Sequence, residues 1–398
     1  MFNTFRANLP HYFSKHPSRE LKELYWSVGL QDFATSAIAL FEPIYLFTRG
    51  YSITEILFFY AAVYFGYTVL IPFGGRIAAH FGFEHTILYS QFAYIAYYLA
   101  LFALPYAPWL IFVAPIIFAI QKSLYWPAYH ADFATFSARE QRGSEVSGML
   151  TVNAAVTTIG PIVGGLVLKF FGFGPLFVIV AILLLASTVP LFQLKEVYDP
   201  APFSYRTYWK LLWKPSHRRS AIAYLGFAEE LVALVLWPVF IYLVVSEYSK
   251  LGLLVALSTL ITSVVVLGIG KLSDHVPKLN ILRFGSLAAA FVWVLRAILT
   301  LTPLRFIWLD TAGRTSKNLV VIPLMAMTYE HGVREDPLAI AVFFEQALAI
   351  GKCGVALLLI VLASFMDIWV AAFLTAAVAS GLYALLKPPG PLGQVHSA

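Results

Sequence analysis

Apolar runs of about 20 residues, parted by short polar breaks, recur along this chain from one end to the other. A run of that length crosses a hydrocarbon core of about 30 Å as a helix. Lipid offers no partners to backbone N–H and C=O groups, so only helices or closed barrels can span it. The runs lack the period-2 alternation of barrel strands, which leaves helices. The chain is 60% hydrophobic and 12% charged, against about 25% charged residues in soluble domains. An all-α membrane protein is expected, with twelve transmembrane helices at roughly 21–48, 52–75, 83–104, 107–130, 144–169, 174–193, 220–246, 250–270, 279–300, 303–328, 337–364 and 367–387.

One long polar stretch interrupts the pattern, from Lys195 to Arg219. It holds "YRTYWKLLWK", a mixture of aromatic and basic residues that reads as an interfacial amphipathic helix. The expected organisation is therefore an N-terminal six-helix half over 1–193, a linker over 194–219 and a C-terminal six-helix half over 220–398. A shift of about 195 residues superposes Pro43 on Pro238, Gly75 on Gly270, Arg76 on Lys271, His80 on His275 and Lys122 on Lys317. Parallel repeats of six helices form one known transporter architecture.

The polar residues before position 21 predict no cleavable signal. Lys and Arg in the expected loops favour the side of the N-terminus by about four to one, which places both termini in the cytoplasm. That asymmetry accounts for the net charge of +6 without nucleic acid. Cys353, the sole cysteine, excludes an intramolecular disulfide and a thiolate metal cluster. "GKCG" at Gly351 lacks phosphate-loop spacing, and no His/Glu metal pattern or nucleophile triad is evident. No cofactor, no metal and no enzymatic role are expected.

The loop between the second and third spans reads "GRIAAHFGFEH" from Gly75. It resembles the G-x-L-A-D-R-x-G-R-K motif of the major facilitator superfamily. Gly75 and Gly82 fit, whereas Ala79 replaces the acid. The second half has "GKLSDHVPK" from Gly270, with the acid kept as Asp274. The resemblance implies a brace between the closed ends of the halves. The fifth span contains "GPIVGG", with Gly160, Pro161, Gly164 and Gly165, similar to the core of a motif of exporters and antiporters. Simple helix packing explains it as well. In the superfamily, helices 1, 4, 7 and 10 line the central cavity and 11 flanks it.

Ionisable groups in mid-bilayer are costly, so each needs a function or a partner. Asp32 and Glu42 fall in span 1, Lys122 in span 4, Glu229 and Glu230 in span 7, Asp310, Arg314 and Lys317 in span 10, and Glu345 and Lys352 in span 11. Spans 3, 6 and 12 carry no deep charge. Asp310, Arg314 and Lys317 share one helical face. With Lys122 they suggest a positive surplus that would favour an anionic group; internal pairing with Asp32, Glu229 and Glu345 is the alternative. Carboxylic acids in low dielectric suit proton carriage, for which Asp32, Glu229 and Glu345 are candidates. Tyr125, Trp126 and Gln346, with Gln31, Gln121, Asn153 and Asn318, offer stacking and hydrogen-bonding groups to an organic solute. Arg296 is expected to snorkel to headgroups, and His130 to lie at the surface.

The expected function is secondary active transport of a small organic solute by alternating access, proton-coupled, with efflux favoured by the fifth-span motif. Its site would be the cytoplasmic membrane of a bacterial-type cell, and the working unit a monomer. A lipid or lysolipid flippase of the same fold and a polytopic membrane enzyme are the alternatives.

Overall fold

The computed structural model describes residues 19–137, 143–191, 205–273 and 276–386, and every described segment is helix or short turn. Span 1 is split into α1 (Arg19–Ala39) and α2 (Glu42–Thr48). Then follow α3 (Ile53–Phe81), α4 (Phe83–Ala103), α5 (Leu110–Ser137), α6 (Gly143–Phe171) and α7 (Phe173–Leu191). The linker carries α8 (Tyr205–Trp213). Span 7 is composite: α9 (Arg218–Leu225), a 3-10 turn, α10 (Glu229–Leu231), a π-type stretch over Val232–Leu236, and α11 (Trp237–Val245). The last five elements are α12 (Tyr248–Ser273), α13 (Lys278–Ile298), α14 (Pro303–Arg334), α15 (Pro337–Leu362) and α16 (Ile368–Leu382).

A helix thus occupies each of the twelve expected intervals. Nine are long and apolar enough to cross a membrane, among the described residues. Of the others, span 1 is broken at Leu40–Phe41, α7 counts as a shorter apolar helix over its described residues Phe173–Val189, and α14 carries Asp310, Arg314 and Lys317.

Packing repeats with the sequence. Within the first group, α1 contacts α6 and α7, α4 contacts α5 and α7, and α3 contacts α5. Six spans later the same pairs recur: α9 with α15, the 3-10 turn of span 7 with α16, α13 with α14 and α16, and α12 with α14. The groups meet mainly along α3–α15 and α6–α12, which the same shift also interchanges. The expected boundary near residue 193 lies outside the described residues.

Pro43 and Pro238 open the second piece of each broken first helix, α2 and α11. Proline cannot donate to the preceding turn and clashes with it, so each helix yields just before it. Glu42 stands at the first break, and Glu229 and Glu230 lie within the second. In α8, Tyr208 and Leu211 are buried while Lys210 and Trp213 face outward, and the helix packs on α15 and α3.

Small residues set the close helix crossings. A Cβ on Gly160 would fall 1.9 Å from Ser36 Oγ, and one on Gly164 1.9 Å from the Ala37 carbonyl, both on α1. A Cβ on Gly165 would lie 2.6 Å from the Tyr248 carbonyl, and one on Gly252 2.1 Å from that of Pro161, both across the α6–α12 seam. The G-P-x-x-G-G segment therefore packs α6 onto two neighbours at once. Gly75 is buried in α3, and Gly82 ends that helix at φ 92°, a backbone that favours glycine. Ala79 is buried, Gly270 lies in α12, and Asp274 falls outside the described residues. Gly252→Ala is expected to force the α6–α12 seam apart and cost about 1–3 kcal/mol, the usual range for overpacking. Denaturant unfolding in detergent checks this.

Candidate functional site

Depth along the helices brings the charged residues toward one zone, and the structure shows which of them meet. Lys317 of α14 is ion-paired to Glu229 and lies 3.1 Å from Glu230. Lys352 of α15 completes the chain at 2.7 Å from Glu230. Tyr383 accepts from Lys317, and the Trp293 indole donates to Glu229 at 3.3 Å. Lys317 also lies 4.3 Å from the centroid of the Phe227 ring. Four charges from spans 7, 10 and 11 thus neutralise one another around a single point.

A second cluster centres on Asp310, about two turns from Lys317 on α14. Asp310 accepts from Arg314 at 2.7 Å and from the Trp237 indole at 3.0 Å. Arg296 approaches the same carboxylate at 3.5 Å, with its guanidinium 4.0 and 4.2 Å from the Trp237 and Trp293 ring centroids. It is 6% exposed, so the expected snorkelling does not occur. Sandwiching between two indoles and an acid is the stronger attraction. The free positive surplus expected on α14 is thereby consumed, because Arg314 and Lys317 both have acids.

Lys122 differs from its repeat mate. No carboxylate pairs with it among the described residues; its ammonium sits 4.3 Å from the Phe118 centroid and 5.9 Å from that of Tyr64. Tyr64 also faces Lys352 at 5.3 Å, so one ring lies between a cation from each half. Glu42, buried at the break of span 1, accepts from the Tyr60 and Tyr97 hydroxyls at 2.7 and 2.8 Å.

The acid Glu345 of α15 joins the halves. It accepts from Tyr67 of α3 at 2.7 Å and meets Nε2 of His130 of α5 at 2.9 Å. The other ring nitrogen of His130 meets Tyr329 of α14 at 2.8 Å. His130 is buried, not at the surface as expected. Its ring stacks on Trp126 at 5.5 Å, and Trp126 in turn meets Tyr125 edge-on at 5.1 Å. A small cavity opens beside it, lined by His130, Met325, Thr328, Tyr329, Ile340 and Phe344 among others.

The remaining candidates are dispersed. Asp32 accepts from Asn153 at 2.7 Å, Gln91 donates to Gln31 at 3.0 Å, and Asn318 caps the Arg314 carbonyl at 3.0 Å. Gln346 is fully buried, and neither of its amide atoms has a partner among the described residues. At the other end of the α6–α12 seam, Lys169 pairs with Glu247 at 3.2 Å. Bonds from Lys250, Ser249 and Lys169 hold the Glu247 carboxyl down to about 2, so this exposed latch stays charged at neutral pH.

The family model of the major facilitator superfamily matches residues 24–316. The chain belongs to the major facilitator superfamily. It is a membrane transporter, then, and not an enzyme. No curated protein matches it in sequence. One solved structure, described as giving structural insights into substrate recognition in proton dependent oligopeptide transporters, aligns with a TM-score of 0.67. The alignment covers 92% of this chain and 96% of that one at 11% identity, a likeness of fold.

The charges that meet are legible in the sequence by depth, but His130 and Arg296 are buried where the sequence suggests the surface and the headgroups. Their depth was legible; the partners that bury them come from helices remote in sequence. Removing one side of the central pair should be costly. Lys317→Ala is expected to destabilise by about 2–4 kcal/mol, somewhat below a fully buried pair because Lys317 is partly exposed. Combining it with Glu229→Gln should recover part of that loss, read as a non-additive cycle in chemical unfolding.

Proposed function

We propose that this transporter is a proton-coupled secondary carrier of a small organic solute, in which Glu345 exchanges its proton as the halves rock. The observation that carries this reading is the position of Glu345. It belongs to one half, while its donors Tyr67 and His130 belong to the other. Opening that end of the α3–α15 seam removes both partners at once and admits water. The surroundings of the acid then differ between the two states, and that difference is what couples proton movement to rocking. Glu229, paired to Lys317, and Asp32, held by Asn153, are secondary carriers in this reading.

The solute is best placed between the halves, near Lys122, Tyr64, Lys352 and the amide of Gln346. Among the described residues Lys122 rests on ring faces with no carboxylate paired to it, and Gln346 has unfilled hydrogen-bonding capacity. A buried amide left unpaired costs about 1–3 kcal/mol, which a polar solute group or water would recover. An acceptor-bearing, partly aromatic solute suits these groups, with Tyr125 and Trp126 bordering the His130 side. Arg314 and Lys317 contribute by releasing their acids rather than by standing free. The working orientation places both termini in the cytoplasm of a bacterial-type cell, on the loop-charge asymmetry. The working unit is a monomer, and efflux is the direction that the α6 motif favours. The proposed division into halves at 193 and 220 follows the packing repeat.

Solutes that raise the unfolding temperature of the purified protein identify substrates, since binding to the native state alone stabilises it. With such a solute in proteoliposomes, Glu345→Gln should abolish accumulation driven by a pH gradient and retain counterflow. Undiminished gradient-driven accumulation in that variant would sink the coupling assignment.

A further inference from the structure

His217, His331 and Glu335 converge where the linker enters span 7, away from the central charges. His217 immediately precedes α9, His331 lies in the last turn of α14, and Glu335 is the residue that ends it. Nε2 of His331 is 3.1 Å from one carboxylate oxygen of Glu335, and Nε2 of His217 is 3.5 Å from the other. All three ligand atoms lie within 4.8 Å of one another. The imidazole rings stack with centroids 5.2 Å apart.

We infer that these residues form a binding site for a divalent transition metal of the zinc class. Three observations support this. First, His217 is 2% exposed, and its Nε2 has no hydrogen-bond partner among the described residues. A buried ring nitrogen aimed at a carboxylate, yet beyond bonding distance, lacks the contact a metal would supply. Second, Nδ1 of His217 meets the Ser216 hydroxyl at 2.8 Å. Metal-bound histidines usually have the other ring nitrogen anchored in this way, which fixes the tautomer. Third, the groups are close enough to converge. Zinc–nitrogen and zinc–oxygen bonds of about 2.0–2.2 Å place tetrahedral ligands about 3.3–3.6 Å apart. The two imidazoles lie 3.1 and 3.5 Å from the two Glu335 oxygens, and the three ligand atoms, all within 4.8 Å of one another, need only draw together by small side-chain rotations to share one ion.

Two imidazoles and one carboxylate suit zinc better than magnesium or calcium, which prefer all-oxygen shells. Water or a solute would hold the fourth position. The Glu335 side chain is 42% exposed, so an ion can enter from solution. The expectation of no metal ligands in the sequence is thereby revised. His217 and His331 are 114 positions apart, beyond any local ligand pattern. A bound ion would fasten the start of span 7 to the end of α14. It would also bear on Phe343, which His217 meets edge-on at 5.3 Å, one residue from the Phe344 that packs on His130. The site is thus placed to stiffen the second half at the seam that must open during transport.

Zinc titration of the full, tag-free, chelator-stripped protein by calorimetry tests this, with cobalt absorption as a report on geometry. One saturable equivalent at micromolar affinity or better is expected, with a tetrahedral or five-coordinate cobalt spectrum. Glu335→Gln should weaken binding at least tenfold, His331→Gln and His217→Gln should abolish it, and His85→Gln should leave it unchanged. Should His217→Gln fail to fold, the two more accessible variants still decide the matter. Absence of a saturable equivalent, or the same affinity in Glu335→Gln and His331→Gln, would show that the cluster is only an ion-paired helix end.

Discussion

The chain Glu229–Lys317–Glu230–Lys352 is the constraint from which much of this bundle follows. Each charge would be prohibitive alone in an apolar interior, and each is made tolerable by a partner on another helix. The pairing fixes the azimuth of α14 and α15 against the composite span 7. It also demands that span 7 deform, because two consecutive acids on a regular helix point about 100° apart. The irregular turns on either side of α10 allow both acids to reach their bases. Pro238 then restarts the regular helix from a broken ladder.

Much of this was legible in the sequence because burial in lipid is a one-dimensional signal. Apolar length gave the spans, and proline, glycine and lysine at a common offset gave the repeat. The packing pairs bear out that repeat, down to the interchange of the two seams. Azimuth and partner are three-dimensional, and there the sequence is silent. Arg296 read as a snorkelling base because nothing nearby in sequence shows Trp237 or Asp310 beside it. His130 read as a surface residue because its acid is 215 positions away. Glu42 was visible by depth, but its two tyrosines on α3 and α4 were not.

The distribution of partners divides the halves by role. In the second half the deep bases have acids, through Glu229, Glu230 and Asp310. In the first half, Lys122 rests on aromatic rings and Glu42 on tyrosine hydroxyls. These are contacts that a solute can replace without leaving an ion behind. The charges of the second half are thus neutralised, and capacity to spare is left at Lys122 of the first half and at the Gln346 amide of the second.

That difference bears on how the seams can open. At α6–α12 the halves touch through backbone and small residues, with Gly165 and Gly252 against opposing carbonyls. Such contacts are lost cheaply one by one, and only an exposed ion pair, Lys169–Glu247, guards their end. At α3–α15 the halves are joined by the buried Glu345, whose partners Tyr67 and His130 come from the other half, so separating them strips the acid of both contacts at once. The two seams therefore differ in kind: one rests on close backbone packing, the other on buried polar contacts that are costly to break unless something replaces them. In the proposed coupling, that cost is what ties proton exchange to the α3–α15 seam rather than to α6–α12.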